Sequence, residues 1–260
     1  MNLIFIAVAL FASIIGALCG IGGGVLIKPI LDMTGLMSAS SISFLSGCTV
    51  LSMALYSVIR TFITKEENIN LKSSVPLGIG AAIGGLFGKS LFRYVETLYG
   101  SSSFIYVIQS TVLAVLVFMT LIYTLNKDKI RSLNIHNSLI IIFIGLILGI
   151  ISSFLGIGGG PFNLAVLFFF FSMETKEAAI NSLMIIVFSQ ITSLISTIVT
   201  GSFPPFTYTV LLLMMMSGTG GGIIGRHINK KVDSKIIEKT LVVSMILIIV
   251  ICIFNITKYA

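Results

Sequence analysis

The chain has 260 residues, of which 56% are hydrophobic and only 10% are charged. Its mean hydropathy of +1.11 and its long apolar stretches exclude a soluble domain, in which about 25% of residues are charged, and indicate an all-α integral membrane protein. The net charge of +7 comes from basic residues in short loops between apolar segments, where they govern topology, so nucleic-acid binding is not indicated.

Ten apolar segments follow in chain order. We predict helices over residues 2–19, 25–37, 40–62, 73–94 and 102–125 in the first half, and over residues 138–155, 161–173, 176–200, 206–228 and 236–257 in the second half. No basic residue precedes the first segment, unlike a cleaved signal peptide, so we expect it to belong to the mature protein. The cysteines and histidines are not spaced for a metal or a redox pair, and we expect no cofactor and no metal.

The sequence contains an internal duplication. The motif GIGGG occurs at Gly20–Gly24 and again, 136 residues later, at Gly156–Gly160. The element GGLFGK at Gly84–Lys89 matches GGIIGR at Gly221–Arg226 with an offset of 137. This agreement in spacing predicts one membrane domain made of two repeats. The repeats cover residues 1–130 and 131–260, with a charged linker at residues 126–137.

The basic residues indicate how the two repeats are oriented. If the segments beside each GIGGG motif formed one bent span, the sixteen basic residues would divide 7 to 9 between the two sides. If they formed a hairpin, the repeats would be inverted and twelve basic residues would share one side against four elsewhere. The positive-inside rule favours the hairpin. We therefore predict two inverted repeats, each a glycine-broken helical hairpin plus three transmembrane helices, with both termini outside.

The GIGGG motifs interrupt helices at a depth where irregular backbone is costly unless it lines a cavity. Glycine allows the tight reversal, and the helix that follows begins with unpaired amide groups and the positive end of its dipole. Such a helix start binds anions, and Pro161 suits the first position of the second one. Inverted repeats would bring both starts to the midplane. Alternatively, the motifs serve only close helix packing.

At these motifs the chain resembles the sulfite exporter TauE/SafE family of membrane transporters. The resemblance rests on GIGGG followed by VLIKPIL, on GIGGGPFNLAVL with TKEAAINSL, and on the GG-x-x-G-basic element in each half. It covers essentially the full chain and implies transport, commonly export, of a small oxyanion such as sulfite or an organosulfonate across a prokaryotic plasma membrane. The second half has Ala165 where the first has Pro29, so the halves differ and the substrate is open.

Polar side chains near the motifs are candidate substrate contacts. Lys28 lies one turn into the first half-helix, where it either meets an anion or extends to the interface, and Asn163 lies at the matching turn of the second. Ser46 and Ser182 recur at the offset of 136, with Asn181 beside the latter, although such groups also bond between helices. The predicted substrate-binding set is Gly20, Gly22, Gly23, Gly24, Lys28, Ser46, Gly156, Gly158, Gly159, Gly160, Asn163, Asn181 and Ser182.

Two periodic patterns mark helix faces. Hydroxyl side chains along the segment 176–200 form a polar stripe that suits either a translocation path or a hydrogen-bonded interface. Glycines at a spacing of four favour close helix packing over substrate contact. The stripe comprises Ser182, Ser189, Ser193, Ser196 or Thr197, and Gln190, and the glycine ladders comprise Gly80, Gly84 and Gly88, and Gly218, Gly221, Gly222 and Gly225.

The acidic residues bear on the cargo. Every aspartate and glutamate falls at or near a loop or a segment end, so we expect no carboxylate buried in the membrane and an anion rather than a cation as cargo. The competing hypothesis is a membrane assembly factor or an intramembrane enzyme. Catalytic motifs such as HExxH and GxSxG are missing, which argues against an enzyme, and the short loops offer little docking surface. The expected partners are the oxyanion, the lipid bilayer and a second copy of the chain in a homodimer.

Overall fold

The computed structural model describes residues 2–64, 69–99 and 103–260, which form ten α-helices and one short 3-10 turn. Each predicted segment corresponds to one helix, and the largest difference is at the fourth, predicted to end at residue 94 and observed to end at Tyr99. The loop charges Lys65, Glu66 and Glu67 lie outside the described residues. The helices are α1 (Asn2–Cys19), α2 (Gly24–Thr34), α3 (Ala39–Thr64), α4 (Leu71–Tyr99), α5 (Ser103–Asn126), α6 (Ser138–Leu155), α7 (Pro161–Phe171), α8 (Thr175–Thr200), α9 (Tyr208–Lys231) and α10 (Ser234–Tyr259).

Seven of the described helices are long and apolar enough to cross a membrane, namely α3, α4, α5, α6, α8, α9 and α10. Large apolar side chains also point outward along these helices, as do Phe118 and Leu212, which are 53% and 60% exposed. A surface of this kind is stable against lipid and would aggregate in water. The protein is therefore an all-α, multi-pass membrane protein, as its composition predicts.

The helices α1 and α2 form a hairpin rather than one bent span. Cys19, at the end of α1, contacts the carbonyl oxygen of Ile237 near the start of α10. At the other end of α10, the hydroxyl of Tyr259 donates a hydrogen bond of 2.8 Å to the carbonyl oxygen of Asp32 in α2. The chain therefore reverses at Gly20–Gly24, and α2 runs back alongside α10.

The second half contains a matching hairpin of α6 and α7. The backbone amides of Leu133 and Ile135, just before α6, donate to the carbonyl oxygens of Phe169 and Phe170 at the end of α7. The end of α7 therefore returns to the level at which α6 begins. We call the side that carries residues 127–137 the linker side, and the side that carries the end of α10 the termini side.

The two halves exchange helices. The first helix of each half packs against the fourth helix of the other, so that α1 lies along α9 and α6 lies along α4. The third helix of each half also packs against the fourth helix of the other half, α3 against α9 and α8 against α4. The amide of Asn229 near the end of α9 donates to the carbonyl oxygen of Leu18 near the end of α1, which makes these two helices parallel. Neither half therefore forms its own core.

Glycine ladders make this close packing possible. A Cβ atom placed on Gly80 or Gly84 of α4 would lie 2.0 Å from a backbone oxygen of α6, that of Ile142 or Leu146 respectively. On α9 the ladder divides, with Gly221 and Gly225 against α1 and Gly218 and Gly222 against α3. The prediction that these glycines serve helix packing is confirmed.

We expect Gly84→Ala to lower the thermal stability of the purified protein. Added core volume typically costs about 1–3 kcal/mol, and here the methyl group would meet backbone that no side-chain rotation can relieve. Gly220→Ala is the matched control because its nearest neighbour, Cδ1 of Leu10, is 4.0 Å away, and alanine is the better helix former. Equal melting temperatures for the two variants in detergent would contradict this role for Gly84.

Candidate functional site

The two GIGGG motifs, which we call the glycine segments, adopt the same backbone conformation. Gly20 and Gly22 have φ angles of 77° and 74°, and their counterparts Gly156 and Gly158 have φ angles of 65° and 76°. These angles lie in the left-handed region that glycine enters without steric cost. The duplication detected in the sequence is therefore also a duplication of two backbone reversals.

The glycine segments meet each other in the protein interior. A Cβ atom on Gly24, the first residue of α2, would lie only 2.0 Å from the carbonyl oxygen of Ile157 in the second segment. The helix α7 begins at Pro161, as predicted, and among the described residues the amide groups at neither helix start donate a hydrogen bond to a capping side chain. Two helix starts whose amide groups lack side-chain caps therefore lie close to this contact, which we call the glycine junction.

Several buried polar atoms near the glycine junction have no hydrogen-bond partner among the described residues. They include the hydroxyls of Ser46 and Ser182 and the amide oxygen of Asn163. Ser46 and Ser182 lie one helical turn before Val50 and Ile186, whose side chains contact the glycine segments from α3 and α8. A buried hydroxyl without a partner costs about 1–3 kcal/mol, so this arrangement favours a bound polar group.

Lys28 forms a buried ion pair. Its Nζ lies 2.9 Å from Oδ2 of Asp32, one helical turn further along α2, and the side chains are 2% and 5% exposed. The charge of Lys28 is therefore directed at Asp32. The expectation that no carboxylate is buried is wrong for Asp32, because α2 is so short that its last turn packs against α10 and not into a loop.

Asn181 joins α8 to the start of α4. Its side-chain oxygen accepts hydrogen bonds from the amide of Asn70 and the hydroxyl of Ser74, and its nitrogen donates to the carbonyl oxygen of Glu177. These contacts favour a role for Asn181 in hydrogen bonding between helices over a role in substrate contact. Ser182, the next residue, makes no such contact among the described residues.

A cavity of about 370 Å³ opens between α3, α4 and α8. Arg93, Glu96 and Phe203, from the ends of α4 and the loop after α8, line it on the termini side. At its inner end lie Gly156 and Gln190. The side chain of Gln190 would contact a Cβ atom placed on Gly158, so the cavity ends next to the glycine junction.

The cavity carries a net positive charge. Lys89 and Arg93 line it together with one carboxylate, Glu96. Nζ of Lys89 donates to the carbonyl oxygen of Ser193 at 2.8 Å and to the hydroxyl of Thr197, and Arg93 donates to Thr200 at 2.9 Å. The cavity therefore presents two cations and several hydroxyl groups, which are the groups that bind an anion.

The cavity brings together part of the polar stripe and one glycine of the predicted set. Gln190, Ser193 and Thr197 line it, as a translocation path along α8 requires. Gly156 is the one member of the predicted set that lines it among the described residues, whereas Lys28 bonds to Asp32 and Asn181 bonds to the start of α4.

Lys89 was missed as a candidate from the sequence because its charge was assigned to topology alone. The signal was available, since Lys89 is the basic residue of the duplicated GG-x-x-G-basic element and lies ten residues before the end of α4, at Tyr99. A lysine this far inside an apolar helix is expensive unless it has a polar surrounding.

Comparison with known proteins identifies a family and two relatives that the chain resembles along most of its length. The family model described as sulfite exporter TauE/SafE matches residues 5–252. The chain is 25% identical over 270 residues to the probable membrane transporter protein YunE of Bacillus subtilis, covering 94% of each chain. It is 26% identical over 247 residues to the probable membrane transporter protein MJ0441 of Methanocaldococcus jannaschii, covering 89% of this chain and 88% of the relative. No solved structure matches the chain significantly.

Proposed function

Because the chain belongs to the sulfite exporter TauE/SafE family of membrane transporters, we propose that it carries a small oxyanion of the sulfite or organosulfonate class out of a prokaryotic cell. The observation that carries this proposal is the cationic cavity that leads from the termini side to the glycine junction. Because the termini side is the outer side in this proposal, the cavity is the exit path of the exporter. Lys89 and Arg93 stabilise the anion there before its release, since field lines concentrate in a cleft with apolar walls.

At the inner end the anion is held by the starts of α2 and α7. Backbone amides of the glycine segments and the hydroxyls of Ser46 and Ser182 donate to it, and Asn163 donates through its amide nitrogen. The buried hydroxyls that lack partners among the described residues support this assignment. Lys28 forms its ion pair with Asp32, and we do not include it among the residues that contact the anion.

The two halves act as inverted repeats. The hairpin contacts at each glycine segment support this arrangement, because α1 begins on the termini side and α6 begins on the linker side. With eleven of the fifteen described basic residues on the linker side or in helix ends facing it, that side is cytoplasmic and both termini are outside.

We expect cysteines introduced at Asn126 and Ser234 to resist membrane-impermeant thiol reagents in intact cells. Both residues lie at the linker side, at the end of α5 and the start of α10. Ser202→Cys, in the exposed loop after α8, is the control that should be labelled from outside. Labelling of Asn126→Cys or Ser234→Cys alone would disprove the inverted orientation.

The transport test uses proteoliposomes loaded with radiolabelled sulfite or methanesulfonate. We expect Lys89→Gln to reduce flux about tenfold or more, as the loss of a charge-assisted hydrogen bond of about 1.5–3 kcal/mol predicts, and Lys89→Arg to retain most of it. Empty liposomes and radiolabelled choline are the controls for leak and for charge selectivity. Flux of choline but of neither anion would overturn the proposed cargo.

The competing hypothesis of an assembly factor or an intramembrane enzyme predicts no anion flux at all. The family match makes the protein a membrane transporter at the coarse level. If well-folded protein shows no flux of sulfite, methanesulfonate, sulfate or thiosulfate, the result would favour the assembly factor or the enzyme over the oxyanion transporter.

A further inference from the structure

The open cavity has a closed counterpart on the linker side. Around Arg226 a cleft of only about 10 Å³ is lined by eight residues. Each of the eight corresponds, at the repeat offset of 136 or 137, to a residue that lines the open cavity. Examples are Arg226 for Lys89, Ser57 for Ser193 and Ala17 for Ser153.

The contacts of the two basic residues are equivalent as well. Lys89 of α4 donates to the carbonyl oxygen of Ser193 and to the hydroxyl of Thr197 on α8. Arg226 of α9 donates to the carbonyl oxygen of Ser57 and to the hydroxyl of Thr61 on α3. All four acceptor positions keep the offset of 136.

The cavity at Lys89 is open, whereas the cleft at Arg226 is closed. Arg226 is 6% exposed and Ser57 only 1%, and the space beside them accommodates about one water molecule. On the closed side Leu183 occupies the position that Gly47 occupies in the open cavity. A large apolar side chain therefore stands where the termini side has a glycine beside the amide group of Gln190.

We propose that the residues around Arg226 form a second oxyanion site, closed in this structure, which opens toward the linker side as the cavity at Lys89 closes. This inference rests on the proposed function, and it assigns the second half of an alternating-access cycle to named residues. In the closed state the guanidinium of Arg226 donates to Ser57 and Thr61. An arriving anion replaces these two acceptors, because the planar guanidinium is able to donate to two oxygens of one oxyanion.

The contact pattern that the two halves share makes the change from one open side to the other energetically accessible. The state that is open on the termini side and the state with the two sides interchanged would contain nearly the same set of interhelical contacts, so their free energies differ little. Several lining residues differ between the two sides, and two of them, Leu183 in place of Gly47 and Lys176 in place of Ser40, put larger side chains on the closed side and so favour the state in which the termini side is open.

The test measures thiol accessibility at equivalent positions. Ser57→Cys and Ser193→Cys are near-isosteric changes on the closed and the open side, made in a background in which Cys19, Cys48 and Cys252 are alanine, because Cys48 itself lines the open cavity. Modification rates with the permeant reagent N-ethylmaleimide are measured in proteoliposomes with and without methanesulfonate, and uptake of radiolabelled methanesulfonate is measured on the same samples.

We expect methanesulfonate turnover to accelerate modification of Ser57→Cys about tenfold and to slow modification of Ser193→Cys, since a tenfold change in population corresponds to about 1.4 kcal/mol. Arg226→Gln should abolish this acceleration and Arg226→Lys should keep it. If either serine variant fails to fold, Ala17→Cys and Ser153→Cys provide a second pair on the same two sides.

The outcomes separate this inference from the proposed function. Protection of Ser57→Cys and Ala17→Cys while methanesulfonate uptake is measurable would overturn the second site and leave anion transport standing. Anion-independent exposure of Ser57→Cys without uptake of any anion would overturn the oxyanion site and the proposed function together. Acceleration that persists in Arg226→Gln would overturn the assignment to Arg226.

Discussion

Replacing Lys28 with methionine should lower the free energy of unfolding by about 3–5 kcal/mol, the largest single effect that we expect on stability. The substitution leaves the carboxylate of Asp32 buried without the ammonium group that lies 2.9 Å away, and an uncompensated buried charge costs this much. The measurement is reversible or kinetic unfolding in detergent, followed by the helical signal.

The double variant Lys28→Met, Asp32→Asn is the matched control. It removes both charges while keeping the shape of the carboxylate, so we expect it to recover most of the lost stability, because replacing both partners of a buried pair is often neutral. If Lys28→Met is as stable as the parent, the two side chains are not paired in the folded protein. If the double variant is as unstable as the single one, the loss comes from packing and not from charge.

Replacing Gly24 with valine should reduce anion flux to the background of empty liposomes, the largest effect that we expect on transport. Any Cβ atom at this position lies 2.0 Å from the carbonyl oxygen of Ile157, so the two glycine segments must separate. Separation displaces the starts of α2 and α7 from the anion they would share, and a displacement of about 1 Å is enough to cost a large factor in a positioned site.

Two variants calibrate this loss. Gly220→Val introduces the same side chain at a helix position where the nearest described atom of another helix, Cδ1 of Leu10, is 4.0 Å from the added Cβ atom, so it should transport normally. Gly159→Ala should be intermediate, because its closest neighbour is the side chain of Ile186 at 2.5 Å, which is able to rotate away. Normal flux through well-folded Gly24→Val protein would mean that the glycine junction is not the place where the anion binds.

The helices and the hairpins were predictable from the sequence because two independent signals act together. Apolar length fixes the helices, and the distribution of basic residues separates a hairpin from a bent span. The contact of Cys19 with the start of α10 and of Asp32 with its end supports the same choice. Pro161 also begins α7, since a proline at the first helical position loses no hydrogen bond.

The polar contacts were harder to predict because they depend on which helices become neighbours. Lys28 and Asp32 are four residues apart in the sequence, which is the spacing of a helical ion pair. The sequence alone left open whether Lys28 meets an anion or extends to the interface, and only the burial of α2 shows that it pairs with Asp32. The partners of Lys89 on α8 are 104 and 108 residues away, and no local pattern reveals them. Only the second copy, Arg226, marks the position as more than a topological charge.

The exchange of helices between the halves has a consequence for biosynthesis. The helix α1 packs against α9, and the hydrogen bond from Asn229 to Leu18 spans 211 residues. At a synthesis rate of about 5–20 residues per second, roughly 10–40 s pass between the emergence of these two residues from the ribosome. During that interval Ser13 and Ala17 of α1, which contact Gly221 and Gly225 of α9 in the folded protein, must remain covered by lipid, by a chaperone or by the insertion machinery. The first helix is therefore open to quality control until the second half has been inserted.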